Sequence, residues 1–251
     1  MAAMDESLLL SFAQVEHSHW WFLTRRRIVD EAIGTDIPPC ARILEVGCGT
    51  GSFLQHLARR FPDATITGIE PSKTAAKTAR SCGGTVTCGT FETIPSSLDE
   101  SVDLLVTLDV IEHCQDDSEA LRNAMSVMSP GARLVLTVPA MPSLWSPHDE
   151  ANHHLRRYTA GDPAGALHSA GFLVERLTHF NTLLLPLGYV TRTISRLTGS
   201  HALSGTGMPH RWVNAALTAL FSLEVHMLRR FDLPLGMSLL AVAHKPEASR
   251  T

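Results

Sequence analysis

The stretch ILEVGCGTG, residues 43–51, runs from an apolar, β-rich segment into three glycines at alternate positions, Gly47, Gly49 and Gly51. RILEV (42–46) has the pattern of a buried strand, and Leu54, Leu57 and Ala58 mark the apolar side of a helix beyond the glycines. Glycines between a strand and a helix let backbone amides approach a ligand closely, as in nucleotide-binding turns. The spacing is GxGxG. It lacks the last glycine of the dinucleotide pattern GxGxxG, where Ser52 stands, and no Gly-Lys-Ser/Thr follows as in a Walker loop. At the end of the next strand pattern, Glu70 lies about 20 residues beyond the loop, the position from which a carboxylate accepts both hydroxyls of a ribose. Loop and acid together point to an adenosine-containing ligand.

Outward from this stretch, short apolar runs alternate with helical patterns. ATITGIE (64–70) predicts a second strand, and Pro71-Ser72 opens a helix to about Arg80. TVTCG (85–89) and VDLLVTLDV (102–110) predict two more strands. A helix from Asp117 to Met128, stopped by Pro130-Gly131, precedes a fifth strand, RLVLTVPA (133–140). DPAGALHSAGF (162–172) predicts a helix, and FLVERLTHF (172–180) and SLLAVAHK (238–245) the last two strands. Strands separated by helices and apolar on both faces imply a doubly wound α/β domain with a parallel sheet. The chain reads as one unit over 1–251, with an N-terminal helical lid at 1–36, a ligand-binding core at 40–140 and a polar loop at 141–160. A helical insertion at 181–232 separates the last two strands; its pieces LLLPLGYVTRTISRL and WVNAALTALFSLEVHML are amphipathic.

Composition narrows the function classes. Lys and Arg number 21 against 25 Asp and Glu, a net charge of -4, so no whole-chain basic field draws nucleic acid. Charged residues make up 18% of the chain, below the roughly 25% of average domains, so extra apolar surface needs cover. The five cysteines form no CxxC pair and the start, MAAMDESLLL, lacks a basic, then apolar leader, which leads us to expect a reduced, cytoplasmic protein. Charged residues and histidines interrupt the two most apolar segments (Arg192, Arg196, Glu224, His226), so no membrane span is expected, while contact with a membrane face stays open.

On the motifs quoted so far, the chain resembles the class I S-adenosylmethionine-dependent methyltransferases, of the bacterial small-molecule kind (type 11/12-like). ILEVGCGTG matches the family's first motif, IEPS (69–72) its ribose-binding acid, and LDVIEHCQD (108–116) its fourth-strand motif. The resemblance implies a seven-stranded Rossmann-like sheet and S-adenosyl-L-methionine as cofactor. It assigns Glu45, Gly47, Cys48 and Gly49 to the methionine and ribose side, Glu70 with Pro71 to the ribose, and Asp109 with Val110 to the methionine moiety. GTFE (89–92) stands where the family often carries an acid for the adenine amine, so Thr90 and Phe91 fall there, through a backbone amide and an apolar contact. His113 stands either beside the cofactor or as a local cap. EHSHWWFLTRRRIV (16–29), HDEANHHLRRYT (148–159) and FNTLLLP (180–186) resemble a bacterial subgroup of the same family.

A sulfonium donor is already activated, so methyl transfer asks the protein mainly for alignment, plus a base where the acceptor carries a proton. Trp20 and Trp21 read as lid residues that exclude water, or else as aromatics docked on the sheet. The run SLWSPHDEANHHLRRYT (143–159) follows the fifth strand and overhangs the carboxyl ends of the strands, where ligands sit in such sheets. Four readings compete for it. His148 with Asp149, or His154, suits a proton acceptor. Arg156 and Arg157, with Tyr158, suit an anion grip; Tyr158 also joins the candidate catalytic set. A metal reading would use His148, Asp149, His153 and His154, but neighbouring histidines rarely point at one ion and the spacing fits no zinc pattern, so no metal is assigned. The fourth reading is a polar loop pinned by Arg157 and Tyr158. Asn181 joins the substrate-side candidates. The apolar insertion favours a small hydrophobic acceptor, lipid-like or isoprenoid, in a monomer or homodimer. A phosphate-bearing acceptor, a nicotinamide-dependent oxidoreductase and a catalytically silent binding module are the alternatives. The second is disfavoured by the glycine spacing and by a missing Tyr-x-x-x-Lys pair, the third by the intact loop and Glu70.

Overall fold

The computed structural model describes residues 6–82, 84–98, 100–198 and 207–247. Seven strands form one sheet: β1 (Arg42–Val46), β2 (Thr65–Glu70), β3 (Thr85–Cys88), β4 (Val102–Leu108), β5 (Met128–Pro139), β6 (Leu173–Phe180) and β7 (Ser238–His244). Their spatial order is β3-β2-β1-β4-β5-β7-β6. The helices are α1 (Glu6–Val15), α2 (Trp20–Ile33), α3 (Ser52–Arg60), α4 (Lys73–Ala79), α5 (Asp117–Val127), α6 (Pro147–Ala151), α7 (Gly161–Ser169), α8 (Leu185–Thr198) and α9 (Arg211–Leu228). The order reverses at β1, from which β2 and β4 lie on opposite sides, and a ligand crevice opens at such a point.

The sheet is mixed, not wholly parallel. β7 runs antiparallel between β5 and β6, with Ser238 paired to Pro139 on one side and Phe180 on the other. The reason lies in the insertion. β6 leaves the sheet at its carboxyl edge, and the chain re-enters at that same edge, with Ser238 beside Phe180, so β7 runs back. The insertion is thereby held over the end of the sheet where ligands bind.

Local chemistry sets the helix starts. Ser72 Oγ accepts from Ala75 N at 3.2 Å and Asp116 Oδ1 from Glu119 N at 2.8 Å, each satisfying an amide that the first turn leaves free. α5 ends at Val127, one residue before the expected Met128, because Met128 already pairs with Val102 in the sheet. The apolar strands bury both faces. Leu44, Leu105, Leu134 and Leu136 pack with Leu121 and Ala124 of α5 on one side; Ile43, Leu104 and Val135 pack with Ile28, Leu54 and Phe221 of α2, α3 and α9 on the other. No helix among the described residues is long and apolar enough to cross a membrane.

Candidate functional site

The glycine loop leaves β1 in a conformation that few residues other than glycine adopt. Gly47 has φ +77°, and a Cβ there would stand 2.3 Å from Val110 Cγ2. The amides of Gly47 and Cys48 both donate to the Ile69 carbonyl, at 2.8 and 3.1 Å, which pins the loop to the end of β2. Glu70, at that end, receives the Gly49 amide on Oε2 and the Ser72 amide on Oε1, each at 2.9 Å. Burial raises its pKa, and these two bonds oppose the rise. Glu45, on β1, is 3% exposed; its Oε2 has no hydrogen-bond partner, and burial pushes its carboxyl well above the ordinary range.

Past β4, Asp109 turns into the left-handed region with φ +58°. Its carboxylate accepts from Thr137 Oγ1 at 3.1 Å and from Arg25 of α2. α2 is thus fastened across the crevice. Its start is tied to α9 by Asn214, whose Oδ1 accepts from Trp20 N and whose Nδ2 donates to Ser18 O, both at 2.9 Å. Trp21 stacks on Phe221 and Phe180 at ring separations of 5.6 and 5.9 Å. The two tryptophans thus dock as aromatics on Phe180 and Phe221 and also line the crevice.

Between these parts lies a cavity of about 840 Å³. Its floor is the loop, with Glu45, Glu70, Pro71, Asp109 and Val110; its roof carries His148, Asn152, His154 and Arg157; its far wall is Leu184, Leu187, Thr191 and Arg192 of the insertion. His113 and Asn181 also line it, and Asn181 holds φ +60° with Oδ1 unpartnered. Residues 147–151 of the run form the short helix α6, started by Ser146, rather than an open loop.

Asp149 ties the roof together. Fully buried, it accepts from Arg157 Nη1 at 2.7 Å, Arg192 Nη1 at 2.8 Å, His154 Nδ1 at 3.0 Å and the Ser146 amide at 3.0 Å. Burial alone would raise its pKa, but the His154 bond and the two arginines outweigh it and hold the carboxyl well below its ordinary value. His148 is pushed down to about 3 by burial and by the Arg192 charge, and its Nδ1 has no partner. His113 is pushed down to about 4, by burial and then by His154.

Five of the expected site residues lie off the cavity. Phe91 is 1% exposed and packs in the core beneath α5, because an aromatic ring gains more there than at a wet rim; Thr90 beside it bonds with Glu92 and Thr93. Arg156 turns outward and is spent on Asp117 and the carbonyls of Cys114 and Gln115. Tyr158 is buried, its hydroxyl donating to Asp117 Oδ2 at 3.0 Å, and burial drives its pKa far upward. Asp149 supports the roof from behind. Arg157 reaches the cavity, yet its donors are committed to Asp149, Ala140 O and Met237 O, which leaves little for a ligand anion. Conversely, Arg26, Glu112 and Arg192 line the cavity without having been singled out. Glu112 lay inside the quoted fourth-strand motif; Arg192 came from far along the chain, where no local pattern marks it.

Residues 44–136 match the family model described as a methyltransferase domain. Trans-aconitate 2-methyltransferase of Deinococcus radiodurans is 33% identical over 49% of this chain and 45% of its own length. The chain spans about half the length of the first curated relatives it matches. Among solved structures, geranyl diphosphate C-methyltransferase from Streptomyces coelicolor, in complex with magnesium, geranyl diphosphate and S-adenosyl-L-homocysteine, superposes with TM-score 0.61 at 12% identity, over 88% of this chain and 78% of that one. Phosphoethanolamine N-methyltransferase 2 from Haemonchus contortus, in complex with S-adenosyl-L-methionine, gives 0.59 at 14% over 89% and 52%. Residues 44–136 thus match a methyltransferase domain, and the chain as a whole shares the fold of these solved methyltransferases.

Proposed function

We propose that the chain transfers a methyl group from S-adenosylmethionine to a small acceptor with a mainly apolar body. The observation that carries this reading is the single cavity shared by the glycine loop, Glu70 and a partly apolar outer chamber walled by Trp20, Trp21, Leu184 and Leu187. When bound, the cofactor supplies an electrophilic methyl on sulfur, transferred in line to the acceptor with S-adenosylhomocysteine as leaving group. Glu70 takes the ribose hydroxyls, Gly47 and Gly49 give the backbone its close approach, and Glu45, Cys48, Pro71, Asp109 and Val110 complete the walls. Arg26, which donates to Ser52 Oγ at 2.9 Å and has no carboxylate at ion-pair distance among the described residues, suits the methionine carboxylate. The described part of the N-terminal segment, residues 6–36, serves as the lid, with Arg25 on Asp109 as its latch; Trp20 and Trp21 keep water from the reacting atoms.

For an acceptor that carries a proton, His148 takes it. Its Nδ1 is free of other partners, and because burial and the Arg192 charge make it a weak base, it suits an acceptor whose proton is already acidic. A second reading gives the acceptor a phosphate or carboxylate, met by Arg192 rather than by Arg156, whose position excludes it. The test is mass spectrometry of products after incubating the chain with methyl-labelled S-adenosylmethionine and a cell extract. We expect labelled products that partition into organic solvent; labelled products confined to the polar anionic fraction would favour the second reading. Binding of NADH without binding of S-adenosylhomocysteine would overturn both.

A further inference from the structure

Glu112, His113 and His154 meet on the roof side of the cavity. One ligand atom from each lies within 4.8 Å of the other two, and His154 Nε2 stands 3.9 Å from Glu112 Oε1. Three features distinguish this meeting from a chance cluster. First, Glu112 is fully buried and neither carboxylate oxygen has a hydrogen-bond partner, which is costly unless something else completes it. Second, both imidazoles are held by the nitrogen that faces away from Glu112. His113 Nδ1 bonds to the His153 carbonyl at 3.2 Å, and His154 Nδ1 to the Asp149 carboxylate at 3.0 Å, so each Nε2 is left to the cluster. Outer carboxylates and carbonyls orient metal-bound histidines in this way. Third, the His153 carbonyl is aimed by a left-handed residue, φ +56°, which also explains how adjacent histidines 153 and 154 diverge.

We propose that Glu112, His113 and His154 form a binding site for one divalent first-row transition ion, with open coordination positions facing the acceptor chamber. Two imidazoles and one carboxylate suit zinc, cobalt, iron or manganese better than calcium or magnesium, which prefer all-oxygen shells. A tetrahedral site with bonds of about 2.1 Å has ligand-to-ligand edges of about 3.4 Å. The 3.9 Å separation therefore closes with a small side-chain adjustment. All three residues line the cavity, so a bound ion would offer its remaining positions to a hydroxyl or carboxylate oxygen of the acceptor. His154 then serves as a ligand, which leaves His148 as the proton acceptor. The ion would be held whether or not methyl transfer is the reaction, and its test needs no turnover.

The experiment is titration of the metal-stripped, full-length chain with Zn²⁺ by calorimetry, alongside Glu112→Gln, His154→Ala and a surface control, His210→Ala. S-adenosylhomocysteine binding is measured on every variant as a check of the folded cofactor site. One Zn²⁺ per chain is expected, weakened at least 10-fold in Glu112→Gln and in His154→Ala and unchanged in His210→Ala. X-ray absorption at the zinc edge of the wild-type chain should show two imidazoles with oxygen and no sulfur. Zn²⁺ affinity equal in all four proteins, or a zinc shell with sulfur or without imidazole, would overturn the site. Loss of S-adenosylhomocysteine binding in the wild-type chain would instead strike the methyl-transfer reading and leave the ion untouched.

Discussion

Replacing Asp149 by Asn removes one negative charge from a fully buried position while keeping the side chain's shape. In the wild-type chain that carboxylate faces Arg157, whose side chain is 2% exposed, and Arg192, 19% exposed, at 2.7 and 2.8 Å, together with His154. Asn retains an oxygen that accepts from one of these groups, but it supplies no countercharge. Breaking a buried ion pair from one side costs about 3–5 kcal/mol, because the other charge stays behind uncompensated. Burial of both arginines argues for the full range, and the partial exposure of Arg192 for its lower half, so we expect about 3–4 kcal/mol. For a chain of this size each kcal/mol lowers Tm by about 2–4 °C, which gives a drop of about 6–16 °C. The assay is urea unfolding followed by circular dichroism, paired with a thermal melt. The double variant Asp149→Asn with Arg157→Met should recover part of the loss, since it removes the abandoned charge. A stability loss under about 1 kcal/mol in Asp149→Asn would refute the reasoning, for it would mean that the two arginines reach water and do not depend on Asp149.

Three further outcomes follow from the same geometry. Glu70→Ala removes the acceptor of two loop amides and of the proposed ribose bonds; at about 1.5–3 kcal/mol for hydrogen bonds to a charged group, S-adenosylhomocysteine should bind about 10- to 150-fold more weakly by calorimetry, and an unchanged Kd would remove Glu70 from the site. Gly47→Ala sets a Cβ at 2.3 Å from Val110 in a left-handed backbone, so titration with S-adenosylhomocysteine should show binding lost or severely weakened, against little change if the loop were only a connector. His148, held near 3 against an unfolded value of about 6.5, is neutral in the fold while the unfolded chain takes up its proton; its contribution to stability is therefore lost as pH falls from about 6.5 toward 3. At pH 5 that loss is about 2 kcal/mol, and His148→Gln should lack it. Parallel stability curves for the two proteins between pH 7 and pH 4.5 would contradict the burial of that imidazole.

The sheet, the glycine loop and Glu70 were legible because each rests on short-range rules. Apolar runs of strand length, glycines where the backbone must turn tightly and an acid one strand further on leave marks within about 30 residues. The antiparallel β7 left no such mark, since its direction follows from re-entry of the chain at the edge where β6 leaves, with Ser238 opposite Phe180. The adenine side misled for a physical reason: Thr90 and Phe91 occupy the right place along the chain, but burial of Phe91 beneath α5 decides where the segment goes. The roof was legible as a location and not as an arrangement. Its charged residues look alike in sequence, whereas in the fold Arg156 faces Asp117, Arg157 faces Asp149, and a third arginine, Arg192, arrives from α8 to share the same carboxylate.

The placement of Asp149 also bears on how acceptor specificity can vary in such a chain. It joins the loop that follows β5 to α8 of the insertion, through Arg192, and reaches the end of β7 through Arg157, which donates to the Met237 carbonyl. The roof and the far wall of the cavity are therefore tied together through Asp149, with His154, Arg157 and Arg192 serving both as lining and as its partners. Leu184 and Leu187 sit on that wall away from the charged knot. Changing their size should alter which acceptors fit while leaving the knot intact, whereas a change at Asp149 or Arg192 should disturb stability before it disturbs selectivity. Acceptor choice and fold stability are thus assigned to different residues around the same cavity, Leu184 and Leu187 for the first and Asp149 and Arg192 for the second.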